Sequence, residues 1–187
     1  MAAEPATTLP LHHIDVETYD RIVASGALDG RRVELLAGQV VDMSPKSPAH
    51  VLVVNRIARH FAATPRWWIH VQDPISVLPD SEPEPDLAVH DHESSPSRHP
   101  RTALLVIEVA VTSQTTDRTT KADLYARAGI PIYWLIDVPA RTTEVRTQPG
   151  ASGYAKLDIH SGGTLLHCPL EDVPDLDLAA LFAGVSA

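Results

Sequence analysis

The chain has 187 residues, a formal net charge of −9, 44% hydrophobic and 21% charged residues. That length suits a single domain, 1–187, with residues 1–13 as a flexible tail, and the composition argues against wholesale disorder or a membrane-spanning class. The acidic balance argues against a protein that coats nucleic acid by bulk charge, but not against one that holds it locally through loose arginine groups such as Arg56, Arg59 and Arg66.

The opening "MAAEPATTLPLHH" lacks the basic end and apolar stretch of a signal peptide, so a cytoplasmic location is expected. "IDVETYDRIVASG" predicts a short helix with Asp15 as N-cap and Gly26 as its stop. "VELLAGQVVDM" predicts a hairpin turning at Ala37 and Gly38. In "SPAHVLVVNRIARHFAA", Ser47 can cap and Pro48 suits the first helical position. Val51, Val54, Ile57, Ala58 and Phe61 recur there at helical spacing. "WWIHV", "ISVL" and "DLAVH" predict short strands, the last beginning at Asp86 after Pro85, and "HESSPSRHPR" predicts a surface loop.

The nearly continuous apolar run "ALLVIEVAV" marks a central strand covered on both faces. A helix beginning near Thr115 or Thr116 and ending at Gly129 leads into a second buried strand, "IYWLID", which makes a βαβ-like crossover. Edge strands follow in "TTEVRT", "GYAKLDIH" and "TLLHC", then a closing helix in "LDLAALFAG". The single cysteine, Cys168, excludes an internal disulfide or a thiolate zinc site and is expected to be a small buried side chain. No P-loop, GxGxxG or G-x-S-x-G occurs, so nucleotide-dependent transferases, dinucleotide enzymes and typical serine hydrolases lack their signatures.

Two charges stand where apolar residues belong. Glu108 interrupts the central strand, and burying a carboxylate there costs several kcal/mol unless a cation, a metal or strong donors meet it. Lys121, one of three lysines in the chain, falls on the helix face that carries Leu124, Tyr125 and Ala128 toward the sheet, with Asp123 and Arg127 opposite. Asp86 supplies a further acid at the start of a neighbouring strand. Two carboxylates and a lysine at strand ends can hold a hard divalent cation, orient a water on it, and offset charge that develops on a phosphate. A structural Glu108–Lys121 ion pair is the plainer alternative.

At these residues the sequence resembles the Uma-two family, a large bacterial group associated with endonucleases. "VELLAGQVVDMSP", the His-containing helix, "EPDLAV" and "LLVIEVAVTSQTTDRTTKADLYARAGIPIYWLID" carry the likeness, from about Val33 to Val145. The resemblance implies a restriction-endonuclease-like α/β fold of the PD-(D/E)XK superfamily, a mixed central sheet flanked by helices. It matches Asp86 to the first motif acid and Glu108 to the second, both as ligands of Mg2+ or Mn2+. The position two after Glu108 is Ala110 rather than lysine, and the family places that lysine on the following helix, which fits Lys121. Glu34 matches a further family acid and is expected to complete the site.

Phosphodiester hydrolysis in nucleic acid, chiefly DNA, is the implied activity, and a catalytically inactive nucleic-acid-binding or protein-interaction module is the alternative. A homodimer is the expected assembly for cutting two strands, with "LDLAALFAGV" as a candidate contact. His90, His92 and His99 match no usual metal-ligand spacing and read as solvated loop histidines, and His50 reads as a capping or packing residue. Of Trp67 and Trp68, adjacent in a strand, at most one can join a binding surface.

Overall fold

The computed structural model describes residues 10–186. Helix α1 (Val16–Ala24) starts where the Asp15 carboxylate accepts from the Thr18 N–H, and its chain reverses at Gly26, φ 75°. Strands β1 (Val33–Leu36) and β2 (Gln39–Asp42) pair as a separate hairpin. Ala37 and Gly38 both have positive φ, 47° and 78°, which is the backbone that a tight two-residue hairpin turn requires. The His13 side chain lies against Gly38, where an added Cβ would meet it at 2.6 Å, so the chain preceding α1 rests on this turn.

A six-stranded sheet forms the centre, ordered β3 (Trp68–His70), β4 (Leu87–His90), β5 (Leu105–Ala110), β6 (Ile132–Asp137), β7 (Thr142–Gly150) and β8 (Gly153–Ser161). Only β5 and β6 run parallel, and the others pair antiparallel. A parallel pair needs a crossover, and the helical stretch from Gln114 to Arg127 supplies it. That stretch comprises α3 (Gln114–Thr116), a π-helical turn (Asp117–Lys121) and α4 (Ala122–Arg127). The expected βαβ unit is thus present, with a widened turn that hydrophobic spacing does not disclose.

The strand pleat sorts the core into two layers. Leu105, Ile107 and Val109 face helix α2 (Pro48–Ala62) and helix α5 (Leu178–Phe182), together with Trp134 and Ile136 of β6. Val106 and Ala110 face the crossover helix with Tyr133, Leu135 and Tyr125. Ser47 caps α2 by accepting from the His50 N–H, and Val53, Val54, Ile57 and Phe61 are its buried residues. Val51, expected inside, is 43% exposed because the buried stripe begins at Val53, two residues on and so on a different face of the helix.

Two further differences separate sequence from structure. "ISVL" is not a strand; Val77 instead bridges Ser81 across a tight turn, a local pairing that competes with the sheet. The C-terminal segment buries Leu178, Leu181, Phe182 and Val185 in the chain's own core, so its apolar residues are already covered without a partner copy. Leu165–Leu166 and Leu176–Asp177 make a small strand pair, β9 and β10, that leads into α5, and Cys168 is buried beside it as expected. Among the described residues no helix is long and apolar enough to cross a membrane.

Candidate active site

The pleat of β5 that turns Ile107 and Val109 toward α2 necessarily turns Glu108 toward the crossover helix. There its Oε1 accepts from Lys121 Nζ at 3.1 Å and from the Tyr125 hydroxyl at 2.7 Å. Lys121 Nζ lies 3.1 Å from Glu34 Oε2 as well, so β1, β5 and the π turn meet at one ammonium group. Lys121, Glu34 and Glu108 are all buried, at 6%, 7% and 4% exposure. Glu34 Oε2 also accepts from the Glu84 N–H at 3.1 Å, which anchors the hairpin to the segment leading into β4.

Asp86 arrives from the other side of β5. The antiparallel register pairs Leu87 with Ile107, so one step further along sets Asp86 level with Glu108. Its carboxylate accepts from the Val109 N–H at 2.9 Å, approaches His50 Nε2 at 3.0 Å and accepts from the Gln72 amide at 3.2 Å. Gln72 holds a left-handed backbone, φ 62°, and its Oε1 accepts from Lys46 Nζ. Because that oxygen is taken by a donor, the amide NH2 must face Asp86, which removes the flip ambiguity. Asp86, Glu108, Lys121 and Glu34 line one cleft of about 560 Å³, with Lys46, His50 and Arg32 also on its wall.

The π turn carries two buried charges. Asp117 accepts from the Ser113 hydroxyl at 2.5 Å and lines the same cleft, 3% exposed. It is a site residue that the sequence pattern missed, because an acid in a helical run reads as a surface group unless the widened turn is known. Burial raises its carboxyl, opposed by Lys121. Burial likewise pushes Glu108 well above the usual carboxylate range; Lys121 opposes this, while Asp117, Asp86 and Glu34 add to it. For Lys121 burial acts downward, yet Glu108, Glu34 and Asp117 override it and raise the ammonium. Around this one lysine the cleft holds more carboxylate than cation. Asp86 differs: burial would raise it, but His50, the Val109 N–H and Gln72 together bring it below its ordinary value.

The remaining expectations resolve as follows. His90 lies on β4 rather than in a loop; its ring centroid is 4.4 Å from that of His70 and 6.3 Å from that of His92. Burial and those two neighbours lower it to about 4. Among the described residues no group of three His, Cys, Asp or Glu side chains could hold a metal ion unaided. Strand β3 begins only at Trp68, so the two tryptophans do not share the expected strand: Trp67, in the bend before it, donates to the Glu171 carbonyl at 2.9 Å and packs on the core, while Trp68 is 45% exposed. His50 does not merely cap or pack, since its ring reaches Asp86.

The fold is of the mixed α/β class, a six-stranded sheet flanked by helices, and a buried acid, a lysine returned to it by the crossover helix and a second acid beside the neighbouring strand border one cleft in it. The chain belongs to the Uma2 (Uma-two) family, whose model, described as "Putative restriction endonuclease", matches residues 16–180. No curated protein matches the sequence. Among solved structures, the chain resembles "a putative nuclease belonging to DUF820" from Anabaena variabilis, with a TM-score of 0.64 and 16% identity. The likeness covers 80% of this chain and 89% of that one and lies in the fold.

Proposed function

We propose that the protein is a metal-dependent endonuclease that hydrolyses phosphodiester bonds in nucleic acid, with DNA as its substrate. The observation that carries this reading is the convergence of Asp86, Glu108 and Lys121, from three separate elements, on one cleft. Bound Mg2+ or Mn2+ would polarise a phosphoryl oxygen and make a bound water more acidic. Asp86 and Glu108 are the residues to hold it, as oxygen donors suited to a hard cation. The donor chemistry fits: no hydrogen bond among the described residues reaches Glu108 Oε2, and the surplus of carboxylate invites a divalent charge. With two protein carboxylates, water would complete the shell, as is usual for magnesium.

In the hydrolysis, a water oxygen bonds to phosphorus in line with the sugar oxygen whose bond breaks; the water gives up a proton and the leaving oxygen gains one. Held between two carboxylates, Lys121 acts as a donor to a non-bridging oxygen rather than as a base, because its ammonium is raised, not lowered. Glu34 is a positioning residue that turns the ammonium toward Glu108. His50, Gln72 and the Val109 N–H fix the Asp86 carboxylate in its ionised form.

The direct Glu108–Lys121 contact at 3.1 Å favours a second reading, an inactive nuclease fold whose buried charges only secure the core while its surface binds nucleic acid or protein. Cleavage of supercoiled plasmid and of single- and double-stranded oligonucleotides with Mg2+ or Mn2+ separates the two. Metal-dependent nicking by wild type that disappears in Asp86→Ala and Lys121→Ala supports the enzyme. Folded wild type that cuts none of these substrates supports the binding module.

A further inference from the structure

We propose that Arg32 and Lys46 form an anion subsite at the mouth of the cleft that takes a phosphate of the nucleic-acid backbone. The proposal rests on the nuclease reading and adds to it the group that draws a polyanion toward a cleft lined chiefly by acids. The cationic side chains on the cleft wall are Arg32, Lys46 and Lys121, and Lys121 is already engaged by Glu34 and Glu108. Lys46 has no carboxylate partner among the described residues, and its hydrogen bond goes to the neutral Gln72 oxygen. Arg32 meets one carboxylate, Glu84, at a loose 3.5 Å, and its other polar contact is the Met43 sulfur at 3.7 Å. Most of the five donors of its guanidinium are therefore available.

The backbone holds the two cations together. Arg32 immediately precedes β1 and Lys46 lies between β2 and α2, and the Met43 N–H donates to the Arg32 carbonyl at 2.9 Å across the hairpin's open end. Burial first, and then the charge of Arg32, lower the Lys46 ammonium, while Glu84 and Asp86 act to raise it and only partly offset this. A phosphodiester oxygen placed between a guanidinium fork and an ammonium would relieve that repulsion and take charge-assisted hydrogen bonds from both. Lys46 also holds Gln72 in place, so a phosphate contact there reaches Asp86 through a single side chain. Arg32, which touches neither, gives the cleaner test.

The experiment is fluorescence-anisotropy binding of a labelled duplex across a salt series, with calcium in place of magnesium, for wild type, Arg32→Ala, Lys46→Ala, Lys46→Gln and the double variant. Arg66→Ala serves as a control, since Arg66 pairs with Glu171 and stacks on Trp67 away from the cleft. Plasmid cleavage with manganese is run in parallel on each protein, and thermal melts verify folding. Loss of the one shared phosphate should reduce the slope of log affinity against log salt by about 0.9 on a duplex in the double variant, and each single variant should lower it part of the way. Arg66→Ala should leave it unchanged. Wild-type slopes in Arg32→Ala and Lys46→Gln, with cleavage intact in wild type, would overturn the subsite and leave the nuclease standing. An equal loss in Arg66→Ala would overturn it too, by assigning the effect to overall charge. Wild type that neither binds nor cuts would overturn both.

Discussion

Two clusters of buried charge lie close together in this fold and behave oppositely. Arg118, three residues before Lys121 on the π turn, donates to Asp137 at 2.7 Å and to Glu144 at 2.5 Å, and Arg146 donates to Glu144 at 2.7 Å. Two guanidinium groups there face two carboxylates. Asp137 sits below its ordinary value despite burial, held by the Ala140 N–H, Arg118 and Gln114. In the cleft, a single engaged ammonium faces Glu34, Glu108 and Asp117, and Glu108 is pushed up. Buried carboxylates are common to both clusters; imbalance belongs to one. A neutralised cluster ties elements together, whereas an acid-rich one is short of positive charge and suited to take a cation.

That contrast can be broken in four places. Largest is the effect on cutting: Asp86→Asn and Lys121→Ala should each lower metal-dependent plasmid nicking by about 100-fold or more, whereas Arg118→Ala, once shown to be folded, should cut nearly as wild type. Equal losses in all three would erase the distinction. Next, manganese should raise the melting temperature of wild type, by about 2.7 kcal/mol of stability at a hundredfold excess over its dissociation constant. Asp86→Asn should lose that response and Arg118→Ala keep it, and a manganese shift that persists in Asp86→Asn would place the ion elsewhere.

Arg118→Ala should cost about 2 kcal/mol in urea unfolding, because Asp137 and Glu144 keep their burial and lose a charged donor. The smallest effect has the opposite sign. Glu108→Gln should gain about 1 kcal/mol of stability at neutral pH while losing cutting, the trade expected when a strained site charge is removed.

Acid sharpens the same opposition. The depressed Asp137 carboxyl contributes stability that is fully present above the ordinary carboxylate value near 4 and is lost as pH falls through its lower folded value. The raised Glu108 carboxyl weakens the fold most fully above its folded value; the penalty begins to lift as pH falls through that value and is gone below the ordinary glutamate value of about 4.3. Melts of Glu108→Gln against wild type should therefore converge on acidification, and those of Asp137→Asn should converge only at still lower pH. A constant gap for Glu108→Gln across the range would contradict its raised value.

Much of this was legible in the sequence because the signals were local. Asp15, Ser47 and Pro48 set helix starts, Ala37-Gly38 set a turn, and the one acid in "ALLVIEVAV" had to meet a cation. Lys121 and Glu108, expected to face one another, lie in contact, and Asp86 and Glu34 border the same cleft. What escaped depends on distant pairing. Gln72 gains its place through Lys46 and Asp86, His50 through a helix end that only the tertiary fold brings to β4, and Asp117 through a widened turn. None of these has a periodicity of its own. "ISVL" failed for the converse reason, since a short apolar run could satisfy itself across the Val77–Ser81 bridge.

The single parallel pair in the sheet has a temporal consequence. β5 and β6 join only after the whole stretch between them has folded back, and that stretch is the one that carries Lys121. Pairing across such a connection is slow compared with closing a hairpin. Glu108 therefore meets its lysine in the same event that completes the central sheet, so a chain emerging from synthesis has no assembled site until its fold is committed. Refolding of a Trp67→Phe, Trp68→Phe variant, whose remaining tryptophan is Trp134, buried on β6, followed by fluorescence and by return of cutting, should give one common rate.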